Sequence, residues 1–248
     1  MIETQQSKII ENLFSLVYRV LWRFTPFIFS LLTVTSRDGY AINYRPFVAC
    51  DRAIVAANFE RNLLAVFRPK PGETVVDVGA NIGLYTLIAS KNVEASGRVI
   101  AIEPDESNLA ILQKNIITNK CQNVTVIPIA VGASNGEMRF YEGIMPTASS
   151  FYPEKERLLH KVRGEKWVKV LRLDDVLQRL GIKEVDWIKI DAEKADLDIL
   201  IGSENTLRNS RNIKLIVEDR SANTIEYLNS FGLEVNTSTG FAVRPKSA

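Results

Sequence analysis

The stretch that decides the fold reads Val75-Val76-Asp77-Val78-Gly79-Ala80-Asn81-Ile82-Gly83. A run of β-branched apolar residues is typical of a buried strand, and the glycines that follow permit a tight turn into a helix. Such a turn places the free N–H groups at the start of the helix next to a ligand. The stretch therefore predicts a strand, a glycine turn and a helix that form a nucleotide-binding edge.

The turn departs from the G-x-G-x-x-G pattern that binds the pyrophosphate of dinucleotides. Asn81 and Leu84 stand where the second and third glycines of that pattern would be, so the expected ligand lacks a pyrophosphate. Asp77 would repel a phosphate, but it suits a ligand that carries an ammonium or a sulfonium group. S-adenosylmethionine carries both groups, which makes it the predicted cofactor.

An acidic residue at the end of the next apolar strand completes this ligand pattern. Residues 98–103 form a second strand pattern that ends in Glu103, about twenty residues beyond the turn, where a carboxylate can accept hydrogen bonds from both ribose hydroxyls. Pro104 and Asp105 then begin a helix. Turn and carboxylate together favour an adenosyl ligand more strongly than either does alone.

The amino-acid composition is that of an ordinary globular protein. Of its 248 residues, 46% are hydrophobic and 24% are charged, which suits one large core and one catalytic domain. A net charge of +2 gives no electrostatic reason to expect a nucleic-acid partner. Cys50 and Cys121 have neither metal-ligand spacing nor the spacing of a disulfide framework. We therefore expect a cytoplasmic protein, with a peripheral membrane location as the alternative.

The first 70 residues are predicted to form a separate layer, and residues 71–248 the cofactor-binding domain. Residues 9–24 have helical periodicity. Their polar stripe consists of Glu11, Ser15, Arg19 and Arg23. This helix is expected to pack on the domain or on a second subunit, and an interfacial membrane helix is the alternative.

A hairpin is predicted after this helix. Pro26 ends or kinks the helix, and Asp38-Gly39 marks a turn between strands at 32–35 and 40–44. A transmembrane span over residues 13–34 is not expected, because its two arginines would lie near the centre of the bilayer.

Strand and helix patterns alternate through the remainder of the chain. Strands are expected at 74–78, 99–103, 124–127, 185–190 and 213–218, helices at 51–67, 82–90, 105–118, 196–201 and 221–231, and a closing antiparallel pair at 233–235 and 241–243. The alternation predicts an α/β fold with a doubly wound, mainly parallel sheet. The N-terminal helix and hairpin extend it.

Polar residues follow several of these strands. Ligands of such sheets bind at the carboxyl ends of the strands, near the switch in strand order. The residues predicted to bind the cofactor are Asp77, Gly79, Ala80, Asn81, Gly83, Glu103, Pro104, Ala130 and Asp191.

Five blocks of the chain, in order, resemble the FkbM-type S-adenosylmethionine-dependent methyltransferases. They are VVDVGANIGLYTLIAS, VIAIEPDESNLAILQKNI, VIPIAVG, LRLDDVL and VDWIKIDAEKADLDILIGSENTL. The resemblance implies a seven-stranded class I methyltransferase fold and methyl transfer to a hydroxyl of a sugar, polyketide or similar metabolite. It places chemistry on residues 189–193. The family continues its acidic pair with glycine, whereas this chain has Lys194.

The acidic residues after the fourth parallel strand suit an oxygen acceptor. Methyl transfer to a hydroxyl needs an aligned nucleophile and a group that takes its proton. Asp191 and Glu193 are predicted to serve there, together with Lys194, and helix capping is the structural alternative. We therefore expect a small-molecule or glycan-like substrate.

Two other functions remain as alternatives. An RNA or nucleobase methyltransferase usually has a proline-rich turn with an aromatic residue after this strand, and this chain has neither. A non-catalytic S-adenosylmethionine-binding or membrane-associated scaffold protein would explain the apolar N-terminal helix and the departure at Lys194.

A magnesium-dependent mechanism is a further alternative. Asp191 and Lys194 have D-x-x-K spacing, and Glu218 and Asp219 follow the next strand. This arrangement resembles catechol-type O-methyltransferases, in which Mg²⁺ holds the hydroxyl and a desolvated lysine takes its proton. The FkbM-like blocks match more of the chain, so no metal ligands are predicted.

The segment 143–167 has weak periodicity, which predicts a long loop. Such loops often form lids over a site, and its aromatic and basic residues would suit an anionic or carbohydrate substrate. An ordinary solvated loop is the alternative. His160, the only histidine, is assigned no role.

Overall fold

The computed structural model describes residues 33–35, 39–45, 51, 60–143, 162–192 and 194–245. Its strands, in chain order, are β1 Thr33–Thr35, β2 Ala41–Asn43, β3 Thr74–Val78, β4 Arg98–Ile102, β5 Val124–Ile127, β6 Ala130–Val131, β7 Gly136–Gly143, β8 Val162–Leu171, β9 Trp187–Ile190, β10 Lys214–Val217, β11 Glu234–Asn236 and β12 Phe241–Val243. Its helices are α1 Arg61–Val66, α2 Leu84–Val93, α3 Glu106–Thr118, α4 Leu173–Arg179, α5 Asp196–Ile201, α6 Glu204–Asn209 and α7 Ala222–Ser230.

The central sheet has seven strands in the order β11-β12-β10-β9-β3-β4-β5. The five strands from β10 to β5 run parallel, and β12 pairs antiparallel with both β10 and β11. The strand order reverses between β3 and β9, which is the switch point where open α/β sheets bind ligands. The predicted doubly wound, mainly parallel seven-stranded sheet of the class I methyltransferase fold is confirmed.

The burial of the central strands explains why they could be predicted from the sequence. Val75, Val76 and Val78 of β3 are almost fully buried, as expected for a strand covered on both faces by helices. One hydrophobic cluster joins α2 to β3 and to the hairpin strand β2, and another joins the central strands to α4, α5, α6 and α7. Asp105 starts α3 by accepting hydrogen bonds from the N–H groups of Ser107 and Asn108.

The prediction of a loop over residues 143–167 is wrong for residues 162–167, which form part of a second, three-stranded sheet. Residues 162–167 belong to the long strand β8, which pairs antiparallel with β7 and parallel with β6. Ala130 begins β6 and pairs with Val170, so it does not end a strand of the central sheet as expected. Along β8, the exposed Glu165 and Lys169 alternate with less exposed residues, so the strand has no continuous apolar run that predicts it. Residues 144–161, including His160, lie outside the described residues.

The predicted hairpin is present, and it packs on the domain. Strands β1 and β2 are antiparallel, and the backbone N–H of Asn43 donates a 2.6 Å hydrogen bond to the buried Asn115 of α3. Tyr40, Ile42 and Phe67 join the cluster around α2. The helix predicted at 9–24 lies outside the described residues, and the domain boundary at residue 70 stays a prediction. In the described part of the chain, no helix combines the length and hydrophobicity needed to cross a membrane.

Candidate active site

The glycine turn between β3 and α2 lies against the end of β9. Gly79 has a φ of +73°, and a Cβ added to it would stand 1.9 Å from the backbone oxygen of Asp191. The N–H groups of Gly79 and Ala80 both donate to the carbonyl of Ile102, at 3.0 and 3.1 Å. The turn is therefore fixed between two neighbouring strands, and only glycine fits its first position.

Glu103 connects this turn to the start of α3. Its Oε2 accepts a 2.8 Å hydrogen bond from the backbone N–H of Asn81, and its Oε1 accepts a 2.9 Å bond from that of Asp105. Burial raises the pKa of Glu103 to about 7, although the two backbone donors oppose that shift. Pro104 lies half-buried between these contacts.

Lys189 lies at the centre of a buried polar cluster beside the turn. Its Nζ is 3.1 Å from Oδ2 of Asp191, 3.4 Å from the carbonyl of Gly79 and 3.9 Å from Oδ1 of Asp77. The ammonium also lies over the ring of Tyr85, 5.0 Å from its centroid. Burial would lower the pKa of Lys189, but these carboxylates outweigh it and raise the pKa. The lysine is therefore a permanent cation.

The two carboxylates beside Lys189 differ in their environment. Burial raises the pKa of Asp77, which accepts a 2.6 Å hydrogen bond from Thr86. Its second oxygen, Oδ1, is buried without a hydrogen-bond partner among the described residues. Burial also opposes ionisation of Asp191, but Lys189 and a side-chain hydrogen bond from Glu218 lower the pKa of Asp191 below its usual value. Asp191 is therefore ionised at neutral pH.

A cavity of about 470 Å³ opens at the carboxyl ends of β9 and β10. Asp191 and Lys189 form one of its walls, so the cavity adjoins the glycine turn. Its lining is largely polar and carries charges of both signs. The charged and hydroxyl-bearing residues are Glu60, Arg61, Lys189, Asp191, Glu218, Arg220, Ser238 and Thr239.

The predicted site residues divide into three groups. The structure brings together the turn residues, Glu103 and Asp191 at one edge of the sheet. Lys194 follows Asp191 with a left-handed φ of +77°, where the family has glycine, and its side chain is exposed. Lys194 therefore lacks the desolvation that the magnesium-dependent alternative requires, and its catalytic role stays a prediction. Glu193 lies outside the described residues.

Asp219, in the acidic pair after β10, is engaged in hydrogen bonds at the start of α7. The carboxylate of Asp219 accepts hydrogen bonds from the backbone and hydroxyl of Ser221 and from the hydroxyl of Thr224 at the start of α7. No group of three or more His, Cys, Asp or Glu side chains that could hold a metal occurs in the described part of the chain.

Tyr85 and Glu60 were not among the predicted site residues, and the sequence carries no signal for either. Lys189 lies in the segment 189–193 on which the family resemblance places chemistry, but it was assigned no role of its own. A lysine inside an apolar central strand needs a buried partner, which was the detectable signal for its role. The hydroxyl of Tyr85 donates a 2.6 Å hydrogen bond to Oε2 of Glu60, which connects the segment before the domain to the cluster around Lys189.

The strand order and the glycine turn are those of the class I methyltransferase fold. The family described as Methyltransferase FkbM domain matches residues 77–234, and the chain belongs to this family. Membership confirms the family predicted from the sequence.

The relatives found include two named methyltransferases and one named synthetase. The chain is 29% identical over 162 residues to the 31-O-demethyl-FK506 methyltransferase FkbM of Streptomyces tacrolimicus, covering 55% of this chain and 61% of the relative. It is 27% identical over 154 residues to the methyltransferase sdnD of Sordaria araneosa, covering 52% and 59%. It is 29% identical over 187 residues to the AMB antimetabolite synthetase AmbE of Pseudomonas aeruginosa, covering 60% and 8%. The chain thus spans at most about three-fifths of these relatives.

Similar solved structures were also found. Methyltransferase FkbM from Methylobacillus flagellatus KT is 20% identical with a TM-score of 0.46, covering 72% of this chain and 44% of that one. An O-methyltransferase from Bacillus cereus in complex with SAH is 15% identical with a TM-score of 0.43, covering 78% and 88%.

Proposed function

We propose that this protein transfers the methyl group of S-adenosylmethionine to a hydroxyl oxygen of a small molecule bound in the cavity beside β9 and β10. The observation that carries this proposal is the position of Asp191. Its backbone oxygen packs against the glycine turn, and its carboxylate lines the cavity. One residue therefore touches both the proposed cofactor site and the proposed acceptor site.

The residues at the turn fit an adenosyl cofactor. Gly79 keeps the turn close to β9, and the carboxylate of Glu103 lies at the strand end where ribose hydroxyls are expected. Oδ1 of Asp77 is a buried acceptor that has no hydrogen-bond partner among the described residues and lies 3.9 Å from Lys189, which leaves it able to accept a hydrogen bond from a cationic ligand group. When bound there, the cofactor supplies an electrophilic methyl group on a sulfonium.

The cavity favours oxygen as the methyl acceptor. Asp191 is ionised and fixed by Lys189, so its carboxylate can accept the hydrogen bond of a substrate hydroxyl and orient it. Among the residues that the structure describes, the lining includes no aromatic side chain on which a nucleobase could stack. The FK506 relative, whose name places its methyl group on an oxygen, supports the same acceptor. The mixed charges of the lining favour a polar, hydroxylated substrate.

Loss of the Glu103 carboxylate is expected to weaken cofactor binding. Glu103→Ala removes charge-assisted hydrogen bonds to the ribose worth about 1.5–3 kcal/mol, which corresponds to a roughly 10- to 150-fold higher Kd. Calorimetric titration with S-adenosylmethionine at pH 8 measures this effect. Glu137→Ala, on the exposed face of β7, is the control and should bind normally.

The same titration should depend on pH. Because the pKa of Glu103 is raised to about 7, its carboxylate gains charge between pH 6 and pH 8, and wild-type affinity should rise over that interval. Glu103→Gln should lose this dependence. Normal affinity in folded Glu103→Ala would remove Glu103 from the proposed site.

Methyl transfer itself tests the proposal. Labelled S-adenosylmethionine is incubated with polyols, sugar phosphates, phenols, hydroxylated macrolides and amines, and the products are identified by mass. We expect an ether product, and Asp191→Asn should lower kcat about 10²-fold, because the acceptor hydroxyl loses the carboxylate that orients it. Asp186→Asn, at the opposite end of the same strand, is the matched control. Methylation of amines alone would contradict an oxygen acceptor, and cofactor binding without any methyl transfer would favour a scaffold.

A further inference from the structure

Glu60 brings a third carboxylate to the cavity, from the segment that precedes the glycine turn. It lines the same cavity as Asp191 and Glu218. Its Oε2 accepts the 2.6 Å hydrogen bond from Tyr85, whereas its Oε1 has no hydrogen bond to any residue that the structure describes. One oxygen therefore holds the side chain in place and the other remains available to a ligand.

The backbone at Glu60 is also unusual. Its φ of +43° and ψ of +40° lie in the left-handed region at the start of α1, which non-glycine residues rarely adopt. Within the described ranges, the other non-glycine residues with positive φ are Asn81, Glu94, Lys120 and Lys194. Glu60, Asn81 and Lys194 all border the candidate site, and strain of this kind tends to cluster at functional sites.

The carboxylates of Glu60 and Asp191, which line the same cavity, are held by different groups. Asp191 lies 3.1 Å from the ammonium of Lys189, so its charge is neutralised and it is a weak proton acceptor. Glu60 is held by the neutral hydroxyl of Tyr85. Resting on the O-methylation proposed above, we propose that Glu60 takes the proton of the acceptor hydroxyl while Asp191 orients that hydroxyl.

The step balances without a further reagent. The acceptor oxygen forms a bond to the methyl carbon as the bond from that carbon to sulfur breaks, and the sulfonium becomes a neutral thioether. The hydroxyl proton passes to the Glu60 carboxylate, which returns it to solvent through the cavity mouth. Proton transfer of this kind is general base catalysis.

The charged groups around Glu60 determine the pH at which it can act. Burial raises the pKa of Glu60 above its ordinary value, and this effect exceeds the lowering by the Tyr85 hydrogen bond and by Lys189. The titratable and charged groups that face or share its cavity are Tyr85 on α2, Asp77 on β3, Lys189 and Asp191 at β9, Glu218 and Arg220 after β10, and Arg61 on α1. A raised pKa makes Glu60 a stronger base than an ordinary surface carboxylate.

The test compares pH profiles of kcat for wild type, Glu60→Gln and Tyr85→Phe, using the acceptor found with the labelled cofactor. Glu60→Gln should lower kcat about 10²- to 10⁴-fold and remove the acid limb of the profile. Its affinity for S-adenosylmethionine should be unchanged. Tyr85→Phe keeps the ring over Lys189 but deletes the hydrogen bond that lowers the pKa of Glu60. Its acid limb should therefore move to higher pH.

The outcomes separate this inference from the proposal beneath it. Wild-type protein that methylates no hydroxyl overturns both. Wild-type activity together with an unchanged kcat and acid limb in Glu60→Gln overturns the role of Glu60 alone. Tyr85→Phe gives an independent answer should Glu60→Gln not fold, because an unmoved limb in that variant also overturns it. Glu226→Gln, on the exposed side of α7, should match wild type throughout.

Discussion

Gly79→Ala is expected to abolish S-adenosylmethionine binding and to lower the free energy of unfolding by about 2–4 kcal/mol. The added Cβ would stand 1.9 Å from the backbone oxygen of Asp191 and 2.9 Å from its carbonyl carbon. Neither atom belongs to a flexible side chain, so β3 and β9 would have to separate. The left-handed φ of +73° adds backbone strain. Urea unfolding and calorimetric titration measure the two effects.

Gly136→Ala provides the matched control for Gly79→Ala. A Cβ at Gly136, the first residue of β7, meets nothing within 4 Å, and its backbone lies outside the left-handed region. This variant should unfold at the wild-type urea concentration and bind the cofactor normally. A Gly79→Ala protein that is equally stable and binds equally well would mean that the turn does not lie against β9 as described.

The close approach of the Asp191 backbone explains why residue 79 must be glycine, and this explanation could not be obtained from the sequence. The pattern at residues 75–83 was interpreted as a turn that lets a ligand approach the backbone. In the structure, the space beside Gly79 is occupied by the backbone of Asp191. The glycine is therefore required by the packing of the protein, which brings Asp191 to the turn and so couples the two halves of the proposed site.

The inner strands of the central sheet could be predicted because they are buried on both faces. Short runs such as 74–78 and 99–102 carry enough apolar, β-branched residues to be recognised without any partner. The ribbon of β7 and β8 could not, because the exposed side chains of Glu165, Trp167 and Lys169 alternate along β8 with the half-buried Lys166 and the buried Val168 and Val170, which leaves a short and weak apolar pattern. Its strands are defined by pairing with each other.

The part of the candidate site that lies at the ends of parallel strands could be predicted from the sequence. Parallel strands end at the same edge, so Asp77, Glu103 and Asp191 could be placed together from their positions alone. Glu60 belongs to a segment before the first central strand, and its approach to Tyr85 depends on how that segment folds back over α2. Local sequence patterns carry no information about such a contact.

Lys189→Met is expected to lower the free energy of unfolding by about 3–5 kcal/mol near pH 7, because it leaves the buried carboxylate of Asp77 and the partly exposed carboxylate of Asp191 without their cation. The side chain of Lys189 is 6% exposed and that of Asp77 is 1% exposed, so water cannot replace the lost ammonium beside Asp77. Methionine keeps the volume and the contact with the ring of Tyr85, which isolates the loss of charge. Urea unfolding across a pH series measures the deficit.

The pH dependence of this deficit distinguishes lost charge from lost packing. Because the ammonium lowers the pKa of Asp191, its stabilising contribution is present above the ordinary carboxyl pKa and disappears as the pH falls through the lowered value. Because the pKa of Lys189 is raised, its own contribution is present below the ordinary lysine pKa and disappears only in strong alkali. The deficit should therefore be largest near neutral pH and shrink in acid, as Asp77 and Asp191 take up protons.

Lys214→Met on the neighbouring strand is the control for Lys189→Met. Lys214 also pairs with a carboxylate, 3.3 Å from Glu73, and lies 4.9 Å from the ring centroid of Trp187, but its side chain is 27% exposed. Water can solvate the carboxylate that remains, so the cost should be below about 1 kcal/mol. Equal costs for the two variants, or a Lys189→Met deficit that does not change with pH, would show that packing rather than charge makes Lys189 necessary. A large deficit that shrinks in acid would identify its ammonium as the group that keeps Asp191 ionised beside the cavity.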